Sequence, residues 1–395
     1  MARTLFILQN HLGGITSLCA NLIRHRPADA PGQAAILLTD TSDPSPTARE
    51  PLDADDERTF RYSQTENVYR VIDRLALAIG DEPGAIVSNA GLELALFSCK
   101  RQNRTVFQIV HDAYNLRLAR RYEPVVDVMI AHSRHIFAEL TEALPHRRES
   151  IFHLPYGIPL AKTRRAANPK GALHLVFLGR LATGKGVHDL PQIDRLLGQA
   201  AVPARWTVIG DGPERKRLVE AMPESERVRY RTPKTNDEVL SLCAEGDVFV
   251  FPTRFEGFPV ALLEAMSAGL VPLASDLASG IPEVVGETTG FRITVGDVAG
   301  FAARIEALHR DRTLLERMSD AAHARAQDFD AAKRTPEYHR LFACWASLKR
   351  PWPGPLPIKH GSRLDQPYLP NCFTRASRRF LGRIGPMLRS QEPRR

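Results

Sequence analysis

The chain has 395 residues, with 53 lysines and arginines against 45 aspartates and glutamates, and its formal net charge is +8 at pH 7. That length is too great for one hydrophobic core of ordinary size and favours two domains. The five cysteines form no Cys-x-x-Cys pair, which argues against a disulfide framework or a zinc site and is typical of a reducing cytosol. No apolar stretch reaches the length of a membrane span, so the sequence predicts a cytoplasmic protein.

The first domain is predicted over residues 1–160 and begins with a strand from Thr4 to Leu8. The paired glycine Gly13-Gly14 follows this strand and precedes a helix from Ile15 to about Arg24. Glycine at a first strand-to-helix turn lets the backbone approach a ligand closely. A plain tight turn would use the same residues and is the alternative.

Residues Thr39 to Tyr62 are polar, acidic and proline-containing, and they predict an irregular excursion rather than an element. Within them, Asp53-Ala54-Asp55 is formally an Asp-x-Asp metal-binding pattern. It follows no buried strand in the sequence, so we interpret it as solvated surface and predict no metal site.

Strand and helix signals then alternate, as in a parallel sheet with helices on both faces. The predicted elements are helix Asn67–Ile79, strand Ala85–Ser88, helix Leu92–Lys100, strand Thr105–Val110, strand Val125–Ala131 and helix Arg134–Leu144. His111 directly follows a strand, at the end of the sheet where open α/β proteins bind ligands. It is therefore a candidate site residue, with a hydrogen-bonded surface histidine as the alternative.

A basic linker, residues 159–170, leads to a second domain predicted over residues 171–330. Its first strand ends in Gly179, and the following turn holds Arg180 and Lys185 five residues apart. Two fixed cations at a strand-to-helix turn suit a diphosphate. The next two strands end at Gly210 and just before Thr232, where we expect the backbone to meet a nucleotide base.

The stretch from Asp247 to Gly269 brings two carboxylates to one strand-to-helix turn. A short apolar strand is followed by Glu256, by the free N–H groups expected at Gly257 and Phe258, and by a helix with Pro259 as its first residue. Glu264 lies eight residues after Glu256. Carboxylates accept hydrogen bonds from hydroxyl-rich ligands, although a helix-terminus charge and a salt-bridged surface residue remain the alternative.

Four stretches resemble the retaining, nucleotide-sugar-dependent glycosyltransferases of family 4. They read GRLATGKGV, VIGDGPERKRL, FPTRFEGFPVALLEAMSAG and SGIPEVV, in this order, and span most of residues 173–285. The resemblance implies the α/β GT-B fold, in which two Rossmann-like domains with parallel sheets face a cleft. It also implies transfer of a hexosyl group from a nucleotide diphosphate sugar to an acceptor hydroxyl, as in the synthesis of cell-surface glycans.

The same resemblance implies roles for the candidate residues. The Gly13-Gly14 loop would gate the cleft and His111 would orient the donor sugar. Arg180 and Lys185 would stabilise the leaving diphosphate, so that neither a metal nor another cofactor is needed. Glu256 would bind hydroxyls of the donor sugar, and Glu264 those of the ribose.

Other functions stay open at this point. A nucleotide-sugar epimerase or a catalytically silent sugar-nucleotide-binding scaffold could use the same turns. A nicotinamide-dependent oxidoreductase would depend on Gly210-Asp211-Gly212 alone, which lacks the third glycine of that motif.

The last of the four resembling stretches, SGIPEVV, corresponds to a Gly-Gly-x-x-Glu segment of the resembled family. This chain has Ser279 in place of the first glycine, and the resemblance implies that Glu283 braces the cleft.

The end of the chain changes composition. Residues 331–349 predict a helix that crosses back to the first domain, with Thr335-Pro336-Glu337 as its start signal. Residues 349–395 carry eleven lysines and arginines against two acidic residues, a net of +9, so the remaining residues sum to about −1. The tail, 350–395, could lie on an anionic membrane surface as a basic helix from Phe373 to Arg389, or be a disordered solubilising segment. Nucleic-acid binding is disfavoured because no recognised fold accompanies the charge.

Overall fold

Two parallel sheets, each covered by helices, form the protein. The computed structural model describes residues 3–10, 13–42 and 52–357, together with the isolated positions 372 and 376. The inner strands of each sheet are buried on both faces, which explains why their sequences read as continuous apolar runs.

The described residues of the first domain form seven strands and five α-helices. The strands are β1 (Arg3–Gln9), β2 (Gln33–Asp40), β3 (Asp56–Tyr62), β4 (Gly84–Ser88), β5 (Arg104–Val110), β6 (Val128–Ala131) and β7 (Ile151–His153). The helices are α1 (Gly14–Arg24), α2 (Val68–Ile79), α3 (Leu92–Cys99), α4 (Ala113–Tyr122) and α5 (Arg134–Ala143). The strand order is β3-β2-β1-β4-β5-β6-β7, so the order reverses between β1 and β4.

The second domain contains six strands and most of the remaining helices. The strands are β8 (Leu173–Leu178), β9 (Ala204–Ile209), β10 (Val228–Arg231), β11 (Val248–Phe251), β12 (Val271–Ser275) and β13 (Phe291–Ile293). The helices are α6 (Leu190–Gln199), α7 (Arg215–Ala221), α8 (Asn236–Cys243), α9 (Val260–Ser267), α10 (Ile281–Val284), α11 (Val298–Arg310) and α12 (Arg312–Ala326). The order β10-β9-β8-β11-β12-β13 reverses between β8 and β11, and ligands bind at such reversals in open α/β sheets.

Two further helices, α13 (Ala331–Ala343) and α14 (Trp345–Leu348), return the chain to the first domain. The Phe342 ring meets the rings of Phe6 and Phe107 at centroid separations of 6.1 and 5.2 Å. His339 Nε2 lies 2.8 Å from the Leu22 carbonyl oxygen on α1. The predicted crossover is therefore confirmed, and it joins the cores of the two domains into one apolar cluster.

The predicted fold class is confirmed, but three local predictions were wrong. Residues 56–62, expected to be irregular, form edge strand β3, in which only Phe60 is buried; an edge strand needs little apolar sequence. The strand expected from Val125 begins at Val128, because residues 123–125 form a 3-10 turn. Helix α13 begins at Ala331, at the start of the predicted range, but the start signal Thr335-Pro336-Glu337 was wrong. Asp330 provides the cap through its 2.9 Å bond to the N–H of Ala332, and Pro336 lies inside the helix.

The acidic pattern at Asp53 and Asp55 forms ion pairs with α1 and the residues after it. Asp53 pairs with Arg24, and Asp55 pairs with Arg26, each at 2.7 Å. No helix in the part of the chain that the structure describes combines the length and apolarity of a bilayer span. The basic helix predicted from Phe373 to Arg389 lies outside the described residues, apart from position 376.

Candidate functional site

The turn after β8 packs against the chain that leaves β11. Gly186 has φ +70°, and a Cβ there would lie 1.9 Å from the Pro252 carbonyl oxygen, so only glycine permits this approach. The Arg254 N–H donates to the Gly184 carbonyl oxygen at 2.9 Å. The two turns at the strand-order reversal are thereby fixed to one another.

That packing brings Lys185 to Glu256. Lys185 Nζ lies 2.7 Å from Glu256 Oε2 and 5.7 Å from the centroid of the Phe251 ring. Burial raises the pKa of the Glu256 carboxyl group, while the Lys185 charge and the Gly257 N–H oppose the rise. Two residues that the sequence predicted to share a site, 71 positions apart, are thus in contact.

Helix α9 begins one residue later than predicted. Pro259 precedes it with φ −85° and ψ 77°, and the Val260 N–H donates to the Phe258 carbonyl oxygen at 3.0 Å, which is an inverse γ-turn. Pro259 therefore directs the chain into the helix from outside it. Phe258, whose N–H was expected to face a ligand, buries its side chain at the junction of the domains.

Glu264 points from α9 into an apolar environment. It is only 8% exposed, and no described residue donates a side-chain hydrogen bond or an ion pair to its carboxyl group. Burial alone raises its pKa to about 7. An unpaired acceptor of this kind is suited to a ligand that supplies its own hydroxyl donors.

The remaining second-domain candidates lie along the carboxyl edge of the sheet. Gly210 contacts the end of β8, where a Cβ would lie 2.1 Å from the Gly179 carbonyl oxygen. Thr232 is exposed and accepts a 3.0 Å hydrogen bond from Arg215. Arg180 is exposed and forms no ion pair with a described residue, so the structure does not bring it into contact with Lys185, Glu256 or Glu264.

The first domain closes directly on this edge. A Cβ at Gly257 would lie 1.9 Å from the His111 carbonyl oxygen, and one at Gly14 would lie 3.8 Å from Val260. Gly13, by contrast, has open space around it. His111 and Gly14 therefore stand opposite the start of α9, as predicted candidates on the facing wall should.

Both ring nitrogens of His111 are in contact with other side chains of the protein. Its Nε2 lies 2.9 Å from Asn89 Oδ1 and its Nδ1 lies 3.2 Å from Nε2 of His132. Burial, and secondarily the neighbouring His132, lower the pKa of His111 well below its ordinary value. The ring nitrogens are engaged, so the backbone and the ring carbons are the parts of His111 left for a ligand.

Sequence analysis missed His132 and Asn89. The signal was present, because His132 follows β6 as His111 follows the adjacent strand β5, and neighbouring parallel strands end side by side.

Glu283 was expected to brace the cleft, and its carboxylate accepts a 2.5 Å hydrogen bond from the Arg134 N–H at the start of α5. The second domain thereby caps a helix of the first.

Comparison with known proteins matches the second domain to a family model. Residues 172–311 match the family model described as Glycosyl transferases group 1. This match covers most of the second domain, hereafter the group 1 domain, and about a third of the chain. This group 1 domain contains Gly179, Arg180, Lys185, Glu256 and Glu264, and the first domain lies outside the match.

Curated relatives extend the match over part of their length. The chain is 30% identical to glycogen synthase of Mycobacterium tuberculosis (strain H37Rv) over 252 residues, which cover 62% of this chain and 57% of that protein. It is also 30% identical to the GDP-mannose-dependent alpha-mannosyltransferase of Corynebacterium glutamicum over 178 residues, or 42% and 40% of the two chains. The chain spans about two fifths to three fifths of the length of the first curated relatives it matches.

Solved structures share the two-domain architecture around the group 1 domain. Anabaena Alr3699/HepE, determined in complex with UDP-glucose, superposes with a TM-score of 0.70 at 18% identity, over 87% of this chain and 99% of that one. The lipopolysaccharide outer core galactosyltransferase WaaB superposes with a TM-score of 0.64 at 15% identity, over 86% and 99%. At such identities the likeness establishes the GT-B fold.

Proposed function

We propose that this protein is a nucleotide-sugar-dependent glycosyltransferase that moves a hexosyl group to an acceptor hydroxyl with retention of anomeric configuration. The observation that carries the proposal is the Lys185–Glu256 contact of 2.7 Å at the reversal of strand order in the group 1 domain. It supplies one cation and one carboxylate at the place where ligands of such sheets bind. The glycosyltransferase names of the partial relatives support the same reaction class.

Lys185 is proposed to stabilise the diphosphate as the anomeric bond breaks. Its ammonium group is already held by Glu256 and stands over the Phe251 ring, so no reorganisation is needed when charge develops. Arg180, exposed and free of ion pairs with the described residues, would be the second cation, moving onto the diphosphate when the donor binds. Two such cations provide the stabilisation for which other transferases use a metal, so we propose a metal-independent reaction without a cofactor.

The carboxylates are proposed to hold the hydroxyl groups of the donor. Glu256 would accept from the transferred sugar, beside Lys185 at the reacting centre. Glu264 would accept from the ribose, because its carboxyl group is buried and has no donor of its own among the described residues. Backbone atoms near Gly210 and Thr232 would contact the base, and the strand end at Gly179 would give the phosphates room.

The first domain would supply the other wall. His111 would orient the transferred sugar through its backbone and ring edge, since both ring nitrogens are engaged with Asn89 and His132. The Gly13–Gly14 turn, facing the start of α9, would gate the cleft. We propose a role in cell-surface glycan or glycoconjugate synthesis at the cytoplasmic face of a membrane, with the basic tail as the contact to anionic lipid.

The test uses the full chain and a panel of UDP-, GDP-, ADP- and dTDP-sugars. A matching donor should raise the melting temperature, since it binds the folded state, and should release nucleoside diphosphate when acceptors are added, with EDTA present. Lys185→Ala should lower kcat on the order of 100- to 1,000-fold, as loss of one preorganised donor does. The control is Lys216→Ala, which removes an exposed lysine of α7.

Three outcomes would count against the proposal. They are dependence of turnover on Mg²⁺, retention of activity in Lys185→Ala, and donor binding without transfer to any acceptor. Lys185→Ala could fail through instability, because it leaves Glu256 without its cation. The double variant Lys185→Met/Glu256→Gln removes both charges, and it should fold normally while remaining inactive.

A further inference from the structure

A second histidine lies behind His111 at the junction of the domains. His132 follows β6 directly and is 1% exposed. Its Nε2 lies 3.2 Å from His111 Nδ1, and its Nδ1 lies 2.9 Å from the hydroxyl of Tyr338 on α13. The resulting chain of side chains runs from the crossover helix through two imidazoles to Asn89.

Asn89 determines the direction of the hydrogen bonds along this row of side chains. Its Nδ2 lies 3.1 Å from the Ile7 carbonyl oxygen and 3.4 Å from that of Val87, and both of these atoms can only accept. Asn89 Oδ1 therefore faces His111 Nε2, and at 2.9 Å that nitrogen must carry the hydrogen. In the neutral imidazole the other nitrogen, Nδ1, is then an acceptor.

His132 supplies the hydrogen that His111 Nδ1 requires. If His132 Nε2 were bare, two lone pairs would face each other at 3.2 Å, so the neutral pair needs the hydrogen on His132 Nε2. His132 Nδ1 then faces the Tyr338 hydroxyl at 2.9 Å and the Leu154 carbonyl oxygen at 3.3 Å. The single hydrogen of that hydroxyl is shared between Nδ1 and the Leu154 carbonyl oxygen, which lies 2.7 Å from the hydroxyl oxygen. Burial lowers the pKa of His132 to about 4; the Leu154 carbonyl opposes this shift, and the nearby His153 adds to it. Since the pKa of His111 is lowered as well, both imidazoles are neutral at pH 7.

The His132 ring also contacts the donor side of the cleft. The Phe258 ring centroid lies 6.3 Å from that of His132, and Tyr156 packs against both rings at 5.8 and 6.2 Å. The His111 backbone, meanwhile, is in contact with Gly257. The two histidines thus lie where the first domain touches the Gly257–Phe258 turn.

We propose that His132 is a positioning residue, which donates from Nε2 to His111 and so fixes, together with Asn89, the tautomer and orientation of His111 and the wall that it presents to the donor turn. This inference extends the proposed function, because His111 would be the residue next to the transferred sugar. The function of His132 is to donate a hydrogen bond, and its ring shape is secondary.

Nuclear magnetic resonance tests the tautomer without any need for activity. Full-length protein labelled with ¹⁵N-histidine is compared at pH 7 with His111→Gln and His132→Gln, which assign the two rings through the signals they lose. Both rings should be neutral, with the hydrogen on Nε2. A hydrogen on Nδ1 of either ring, or a charged imidazole at pH 7, would overturn the proposal.

Two substitutions separate donation from packing. His132→Gln places an amide N–H near the position of Nε2, whereas His132→Phe keeps the aromatic contacts with Phe258 and Tyr156 but cannot donate. With a donor found in the panel above, Phe should lower kcat on the order of 100-fold, as a small misplacement at the reacting centre does, with little change in the donor KM. Gln should recover most of that loss.

Equal losses in the two variants, or a better result with Phe, would show that the ring only fills space. If no nucleotide sugar is turned over at all, the proposed function fails. The NMR result still decides the arrangement of the two histidines in that case, so the two failures are distinguishable.

Discussion

Glu264 is a buried carboxyl group that no cation among the described residues pairs with. It lies on α9, is 8% exposed, and has a pKa raised from 4.5 to about 7 by burial alone. Such a shift corresponds to roughly 3 kcal/mol between the two protonation states. A residue that costs this much when ionised is expected at a binding site rather than in a structural core.

The stability of the protein should therefore depend on pH through Glu264. The unfolded chain ionises this group near pH 4.5 and the folded protein only near 7, so the free energy of unfolding falls as pH rises between these values and is unaffected beyond them. Glu264→Gln removes this titration. Relative to the parent, the variant should gain on the order of 2 to 3 kcal/mol between pH 5 and pH 8, measured by urea denaturation. Glu220→Gln, an exposed change on α7, should show no such trend.

Donor binding should release a proton in the same pH range. Ribose hydroxyls donate to the ionised carboxylate, so a bound nucleotide sugar favours the charged form of Glu264. Below pH 7 the affinity should rise by up to about tenfold per pH unit, and it should level off above pH 8. Calorimetry in buffers of different ionisation enthalpy measures the protons released. Glu264→Gln should bind more weakly without releasing one, and unchanged release would assign the proton elsewhere.

At this scale the sequence predicted residue types better than contacts. Lys185 and Glu256 were recognised because each follows a strand at a turn with glycine, and such turns meet at the sheet edge. His132 also follows a strand, yet a buried histidine has no pattern of its own, and its importance depends on Asn89 and Tyr338, which lie 43 positions before it and 206 after it. Arg180 is the opposite case: its position in the motif predicted a place in the site, but it forms no ion pair with a described residue.

Among the elements, the turn before α9 makes a close contact with the first domain. A side chain at Gly257 would meet the His111 carbonyl oxygen at 1.9 Å and the Asp112 side chain at 3.3 Å. The first contact is with backbone, which cannot rotate away. The Gly280 N–H also donates to the Gly257 carbonyl oxygen at 2.8 Å, which holds the turn from the other side.

Gly257→Ala should therefore separate the two walls of the cleft. The expected result is a loss of kcat on the order of 100-fold, because the donor turn moves relative to His111 by about the length of a bond, with little loss of nucleoside diphosphate binding by the group 1 domain. Steady-state kinetics and titration with nucleotide measure the two effects. Gly198→Ala, on α6 with open space around it, is the control for an added methyl group. Normal kcat in Gly257→Ala would mean that closure at this point is unnecessary.

Element boundaries were predicted where apolar periodicity was strong and missed where packing decided. Strand β3 has one buried side chain, Phe60, and is held by pairing with β2 from Asp56 to Tyr62, which a polar sequence does not reveal. Pro336 suggested a helix start, but Asp330 caps α13 one and a half turns earlier. Pro336 lies inside the helix, where a proline removes one i→i−4 hydrogen bond and crowds the carbonyl four residues before it.

At the level of the whole molecule, the two crossings between the domains lie side by side. The Ile158 N–H donates to the Phe329 carbonyl oxygen, and the Ala331 N–H donates to the Ile158 carbonyl oxygen, each at 2.8 Å. A Cβ at Gly157 would lie 2.8 Å from the Ala331 Cα, so the crossings are closely packed. This pairing, of Ile158 with Asp330 172 positions later, has no local signature in the sequence.

The chain after α14 continues along the first domain before it reaches the basic tail. The Arg350 N–H donates to Asp127 at 2.7 Å, the Trp352 indole N–H donates to the Phe97 carbonyl oxygen at 3.0 Å, and the Leu356 N–H donates to that of Ser98 at 2.7 Å. The predicted tail from residue 350 therefore begins with an ordered strap, residues 349–357. Residues 358–395 carry nine basic and two acidic residues, a net of +7, so almost the whole net charge of +8 lies beyond the strap.

The strap changes how the proposed membrane contact should be tested. A deletion from Lys349 would strip Trp352 and Leu356 from the first domain and confuse instability with lost binding, whereas a chain ending at Pro357 keeps every contact described above. We expect that chain to keep its melting temperature and to bind anionic vesicles at least tenfold more weakly than the full chain, because each basic residue near such a surface contributes about 1 kcal/mol. Binding measured by sedimentation should weaken with salt and be absent on neutral vesicles.

A full-length control tests whether charge is the cause. A chain in which Arg375, Arg378, Arg379, Arg383 and Arg389 are changed to Gln should then lose binding as the truncated chain does. Equal binding by the full and truncated chains would leave the tail without a membrane role.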